Sequence, residues 1–262
     1  MATTLGEKDP DTLSATANLA STYWNQGMWK EAEELEVKVM ELRVRTLGKQ
    51  HPDTLNTMAN LAATYRSQGR WKEAEALEVD VMETWTRTVG KEDPDTLTAM
   101  AILASTYRYQ GRLEEAEALE VDVMETWART LGEEDLDTLT AMINLAATYR
   151  CQGRLKEAEA LEVKVMETWA RTLGEEHPDT LTAMANLACT YRHQGRWKEA
   201  EALEVDVMET RARALGEEHP DTLTAMANLS STYREVGREM EAEELEGKPL
   251  TRLTTILEYT QP

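Results

Sequence analysis

Phenylalanine is absent from the 262 residues, and cysteine and proline are scarce, at two and seven. Without phenylalanine, the interior must be filled by Leu, Met, Tyr and Trp. The two cysteines, Cys151 and Cys189, sit in no metal-spaced cluster and are too few for a disulfide framework. Reduced thiols in a cytoplasmic protein are the expectation. No apolar run approaches the roughly 20 residues of a membrane-spanning helix, and Met1-Ala2-Thr3-Thr4 leads into acidic residues rather than a signal-peptide core. Basic charge is in deficit: 28 Lys and Arg against 49 Asp and Glu leave a net charge of −21. Phosphate backbones and acidic membrane surfaces both call for clustered cations, so neither nucleic acid nor membrane is an expected partner. No GxxxxGK[ST] phosphate loop occurs either.

What is present is one phrase written six times. Gly6, Gly48, Gly90, Gly132, Gly174 and Gly216 are 42 residues apart, as are Tyr23, Tyr65, Tyr107, Tyr149, Tyr191 and Tyr233. A fixed period of this size predicts a stacked array rather than one globular core. In the second copy, His51-Pro52-Asp53 opens a first helix, with Pro pre-shaped for its first position and His51 placed as N-cap. Asp9, Asp93 and Asp135 stand in the same place in other copies. Leu55, Met58, Leu61, Ala62 and Tyr65 recur at three and four residues as a buried stripe, and Gly69 ends the helix. A second helix, from about Trp71 to Val89, carries Trp71, Ala74, Leu77, Val81, Met82 and Trp85 inward. Its glutamates, those of the EAEALE string included, predict a solvated acidic face. Both tryptophan registers, Trp85/Trp127/Trp169 and Trp29/Trp71/Trp197, predict core, as does the methionine series Met58, Met100, Met142, Met184 and Met226. Leu136 replaces the proline of the other copies and predicts a looser start to its helix.

The spacing of Tyr65, Gly69, Trp71 and Ala74, and the string NLAxxYxxQGRxxEAExLE, resemble the tetratricopeptide repeat. The HPDTL opening and 42-residue length resemble the variety found in kinesin light chains and nephrocystin-like proteins, and in fungal and bacterial NLR-like STAND proteins. Departures are the glutamates Glu36 and Glu78, where that family usually has an aromatic, and the absence of a heptad coiled coil. The resemblance implies an all-α, right-handed solenoid of six helix-turn-helix repeats: 6–47, 48–89, 90–131, 132–173, 174–215 and a truncated 216–246. Residues 1–5 match the tail of a preceding second helix, which fits either a fragment of a longer protein or a chain that simply starts here. In 247–262, Leu250, Leu253, Ile256 and Leu257 predict a closing helix.

The same resemblance places one stripe of each first helix on the concave wall. Its deepest member is Asn18, Asn60, Asn144, Asn186 and Asn228, broken by Ile102. An amide both donates and accepts, so a ladder of them suits an extended peptide backbone; each Asn bonding to the neighbouring helix instead is the plainer alternative. Arg66, Arg108, Arg150, Arg192 and Arg234 follow, fitted either to acidic groups of a partner or to their own helix ends and nearby glutamates. The next column reads Asn25, Ser67, Tyr109, Cys151, His193, Glu235, six different residues in six copies. Close packing forbids such variation in a core, so the column is exposed, tuned for specificity or drifting.

No chemistry is expected. His51, His177 and His219 lie on different repeats, too far apart for one metal ion. Cys189 and His193 are one helical turn apart, but no orienting group or oxyanion site accompanies them. The resulting expectation is a non-enzymatic scaffold without a cofactor, binding a peptide or protein segment in the groove. The alternative is a ligand-sensing array detached from a larger NLR-like signalling NTPase.

Overall fold

Each copy becomes a helical hairpin because both of its ends are chemically marked. The computed structural model describes Gly6 and residues 9–247, and no strand occurs among them. The first helices of the six copies are α1 Pro10–Asn25, α3 Pro52–Ser67, α5 Pro94–Tyr109, α7 Leu136–Cys151, α9 Pro178–His193 and α11 Pro220–Glu235. The second helices are α2 Trp29–Thr46, α4 Trp71–Thr88, α6 Leu113–Thr130, α8 Leu155–Thr172 and α10 Trp197–Leu215. Residues 239–247 are again helical. The remnant expected over 1–5 and the closing helix expected around Leu250–Leu257 lie outside the described residues.

The caps follow the sequence. His51 Nδ1 accepts from the Asp53 amide at 3.2 Å, and Asp93 Oδ1 from the Asp95 amide at 3.0 Å. His177 and His219 do the same work in their own copies, which accounts for the histidine set. The threonine of the PDTL phrase ties three of the first helices to the glycine that opens their own copy. Thr54, Thr96 and Thr180 donate to the carbonyls of Gly48, Gly90 and Gly174 at 2.9, 2.7 and 2.8 Å. At the far end of α3, Gly69 takes φ +73°, letting its amide reach Arg66 O at 2.9 Å and the Arg70 amide reach Tyr65 O at 2.9 Å. Leu136 does not loosen its helix: Asp135 caps α7 with its side chain on the Asp137 amide at 3.0 Å, as its counterparts do. The cap is a side-chain bond independent of the ring that proline would supply.

The chain forms two compact units, residues 1–132 and 133–262. In the first, α1 to α6 pack in order, each on the next; in the second, α7 to α11 do the same. The cores of the hairpins are shared with their neighbours. Leu55, Met58, Val81 and Trp85 of the second copy close around Ala99 of the third. Leu181 and Val207 of the fifth close around Ala225 of the sixth. At about 1.5–3 kcal/mol per buried large apolar side chain, this shared burial is what joins copies. The Trp85, Trp127 and Trp169 register and Met58, Met100, Met142 and Met226 are buried as expected, with Met184 half-buried. Where arginine replaces that tryptophan, it bonds the start of the next helix instead: Arg43 donates to Asp53 O at 3.0 Å and to Thr57 Oγ1 at 2.8 Å.

Candidate binding face and the joints beside it

Once the buried stripe is assigned, the first helix has one outward stripe left, and its members recur at four, three and four residues. In α3 it runs through Asn56, Asn60, Ala63 and Ser67, the first two exposed and the others half-buried. Asn18 and Asn60 are exposed, and Asn144, Asn186 and Asn228 are half-buried, so every amide of the series reaches the surface. Where the series breaks, Ile102 joins Leu55, Val81, Trp85 and Ala99 around an open cavity of about 90 Å³.

The arginine column beside it is held from within. Arg66 Nε lies 3.3 Å from Glu78, Arg108 donates to Glu120 at 2.8 Å, and Arg150 pairs with Glu162. Arg192 lies 3.6 Å from Glu204, and Arg234 donates to Glu246 at 2.7 Å. An acidic ligand would have to compete with a carboxylate already in place.

These glutamates overturn the expected solvated acidic face. Glu78 is only 3% exposed, and Glu36, Glu120, Glu162 and Glu204 are as deeply buried. They occupy the aromatic position of related repeats, so the helix register turns them inward whatever their charge. Burial pushes the carboxyls of Glu36, Glu78, Glu162 and Glu204 up. A threonine hydroxyl of the next copy opposes the shift, and at Glu36 this is Thr64, donating at 2.7 Å.

The EAEALE string has a second task that sequence reading missed. Its middle glutamate grips the next copy. Glu33 takes hydrogen bonds from Gln68 at 2.9 Å and from Arg70 at 2.8 Å. Glu75 does so with Gln110 and Arg112, and Glu159 with Gln194 and Arg196. Burial pushes these carboxyls up, but the hydrogen bonds from Arg and Gln outweigh it and hold them below the ordinary range. The same arginine roofs a tyrosine, Arg70 over Tyr65 and Arg196 over Tyr191, each at 4.1 Å from the ring centroid. The invariance of the QGR phrase across copies two to five was the signal available, since two fixed polar side chains flanking the turn glycine imply fixed partners.

The second tryptophan register also departs from the core expectation. Trp29 is 41% exposed, and Trp71 and Trp197 are half-buried. Each is the first residue of a second helix, on the turn, where only the last turn of the next copy's first helix reaches it. The variable column lies against this register. Gln68 donates to Trp29 O, Gln110 to Trp71 O and Gln194 to Leu155 O, each at 3.2 Å. These bonds bring the residues before them, Ser67, Tyr109 and His193, beside the preceding copy's Trp29, Trp71 and Leu155. Tyr109, 66% exposed, stacks on Trp71 at 4.8 Å between centroids. Asn25, Cys151, His193 and Glu235 are exposed and Ser67 half-buried.

Cys189 and His193 do touch, with Sγ 3.7 Å from Nδ1. That nitrogen lies 2.8 Å from the Cys189 carbonyl oxygen, which can only accept, so Nδ1 carries the proton and cannot take one from the thiol.

The matching family model is the tetratricopeptide repeat, over residues 11–83, 105–167 and 137–211. The chain belongs to the tetratricopeptide repeat family. A crystal structure of nearly identical TPR-like repeats, assigned to a kinesin light chain of Podosopora anserina, is 32% identical, with a TM-score of 0.67 over 79% of this chain and 98% of that one. A signal-transduction ATPase with numerous domains from Pyrococcus horikoshii, which carries a tetratricopeptide repeat sensor, is 14% identical. Its TM-score is 0.68 over 97% of this array and 38% of that chain. A Rap protein complexed with competence and sporulation factor is 12% identical, with a TM-score of 0.62 over 93% and 75%. None of the curated proteins matches the array. Among the described residues, no helix is long and apolar enough to cross a membrane.

Proposed function

We propose that this array is a non-enzymatic scaffold that binds an extended peptide segment of a partner protein along the outward stripe of its first helices. Tetratricopeptide repeats generally mediate protein–protein interaction. One observation carries the reading here. The residues that hold the stack together are buried or clasped, whereas the asparagine series and the variable column share a surface stripe. Within each unit the amides Asn18 and Asn60, or Asn144, Asn186 and Asn228, hold the peptide backbone. Tyr109, His193 and the rest of their column set which side chains are accepted. The Arg66, Arg108, Arg150, Arg192 and Arg234 column frames the edge, its charge balanced by its own glutamates.

The test is selection of a displayed random-peptide library on the full chain. The double change Asn144→Ala and Asn186→Ala is expected to weaken the selected peptides by tenfold or more, with helix content by circular dichroism unchanged. Unaltered affinity overturns the reading. Exchanging Tyr109 and His193 is expected to change which peptides are enriched; an unchanged profile marks the column as drift.

A second reading keeps the face but makes it the sensor of a longer signalling ATPase. The Pyrococcus horikoshii protein, with its repeat sensor, motivates it. A nucleotide-binding domain encoded in the same reading frame decides it.

A further inference from the structure

The joints place two residues of different copies side by side: the first residue of a second helix and the variable residue of the next first helix. In the first unit the Trp71–Tyr109 stack, with 12° between ring planes, shows that the tryptophan face at this register accepts a flat group from the groove side. The last joint of the second unit pairs Trp197 with Glu235. Val236 replaces the clasping glutamine there, and Arg238 holds Glu201 at 2.6 Å to keep the two ends together. Glu235 has no ring to lay on Trp197. The result is an open cavity of about 260 Å³ lined by Arg192, His193, Trp197, Ser231 and Glu235.

The electrostatics of that cavity favour one class of occupant. Glu235 is exposed and makes no ion pair among the described residues. The neighbouring Arg192 is engaged elsewhere, 3.6 Å from buried Glu204 and bonded to Asn228 O at 3.4 Å. His193 directs Nδ1 to the Cys189 carbonyl. An aromatic face beside an unpaired carboxylate is the arrangement that holds a cation, and tryptophan is the best of the aromatic partners. The surrounding charge of −21 adds to the attraction.

We propose that Trp197 and Glu235 form a pocket that takes one cationic side chain, lysine or arginine, of the bound segment. This rests on the peptide-binding reading above. The cation lies over the Trp197 ring with its charge against Glu235, while its aliphatic stem crosses the half-buried edge of the groove.

The experiment is the same peptide selection, run on the wild-type chain and on Glu235→Lys, Glu235→Gln and Trp197→Leu. Lysine is a favourable residue in the last turn of a helix, and leucine already stands at the tryptophan register in Leu113 and Leu155, so all three variants are expected to fold. Wild type should enrich lysine or arginine at one peptide position. Glu235→Gln should erase that preference, and Glu235→Lys should reverse it to aspartate or glutamate. Trp197→Leu should weaken the cationic peptide by about tenfold. Selected peptides that depend on Asn144 and Asn186 but show no basic preference, or one that Glu235→Lys leaves unchanged, overturn the pocket while the groove reading stands. Peptides indifferent to Asn144 and Asn186, or no enrichment at all, overturn both.

Discussion

At the scale of single residues, charge and position pull against each other, and position wins. Glu36, 4% exposed, is the clearest case, because Trp24 occupies the site from which the other copies bring an arginine. Its raised carboxyl contributes stability that is full below the ordinary value of 4.5 and is lost as pH rises through the higher folded value. Glu36→Gln keeps the shape and can still accept from Thr64 Oγ1. It is expected to raise stability at pH 7 by about 1 kcal/mol, with little change near pH 4, measured by urea titration. Glu162→Gln should gain less at pH 7, because Arg150 already offsets part of the burial cost of the charged form. Equal effects of the two changes would contradict this account.

At the scale of elements, each helix is delimited by local chemistry, so helix boundaries were readable from the chain alone. His51, Pro52 and Gly69 announce the ends of α3, and the structure places the helix at Pro52–Ser67. Leu136 shows the limit of reading by single letters: the proline is lost, but the Asp135 cap remains and the helix starts in register. Leu136→Pro is therefore expected to stabilise the second unit by about 0.4–1 kcal/mol, since it removes unfolded-state freedom at a first helical position. A thermal scan checks it, and a lower midpoint would mean that the leucine packs in a way its exposed side chain does not suggest. The faces of the second helix were harder to read. An acidic string with half its residues charged looks solvated, yet one glutamate in EAEALE is buried, one clasps a neighbour and one pairs at the surface with the arginine of its own turn. Only the neighbouring copy distinguishes them. The tryptophans of the turn were misread for the mirror reason, since a large apolar residue at a helix start meets only the end of the next first helix and stays partly open.

At the scale of the whole molecule, cohesion within each unit is a sum over joints, as expected of a one-dimensional array. Breaking one joint should then divide a unit rather than unfold it. Gln194→Ala with Arg196→Met, methionine being the residue at that register in Met28, removes the grip on Glu159. The expected outcome is faster amide exchange at the facing ends of α8 and α9 and a broadened urea transition. An unchanged, single sharp transition would show that the apolar contacts alone carry the joint. The clasp glutamates, held low, stabilise above 4.5 and lose this as pH falls through their folded values. The buried column, held high, stabilises below 4.5 and loses this as pH rises. Stability is therefore expected to peak near 4.5, which thermal scans from pH 3 to 9 would check. The sequence by itself determined the period, which is written in the recurring letters, and the helices, their caps and the outward stripe, because these depend on residues within a single helix and its flanking turns. Only the tertiary structure decided which glutamates are buried, which arginines are already paired and which tryptophans line the surface. Those outcomes depend on side chains brought together across a joint from copies tens of residues apart, and a repeating chain places the same letters in core, clasp and groove according to what the next copy covers.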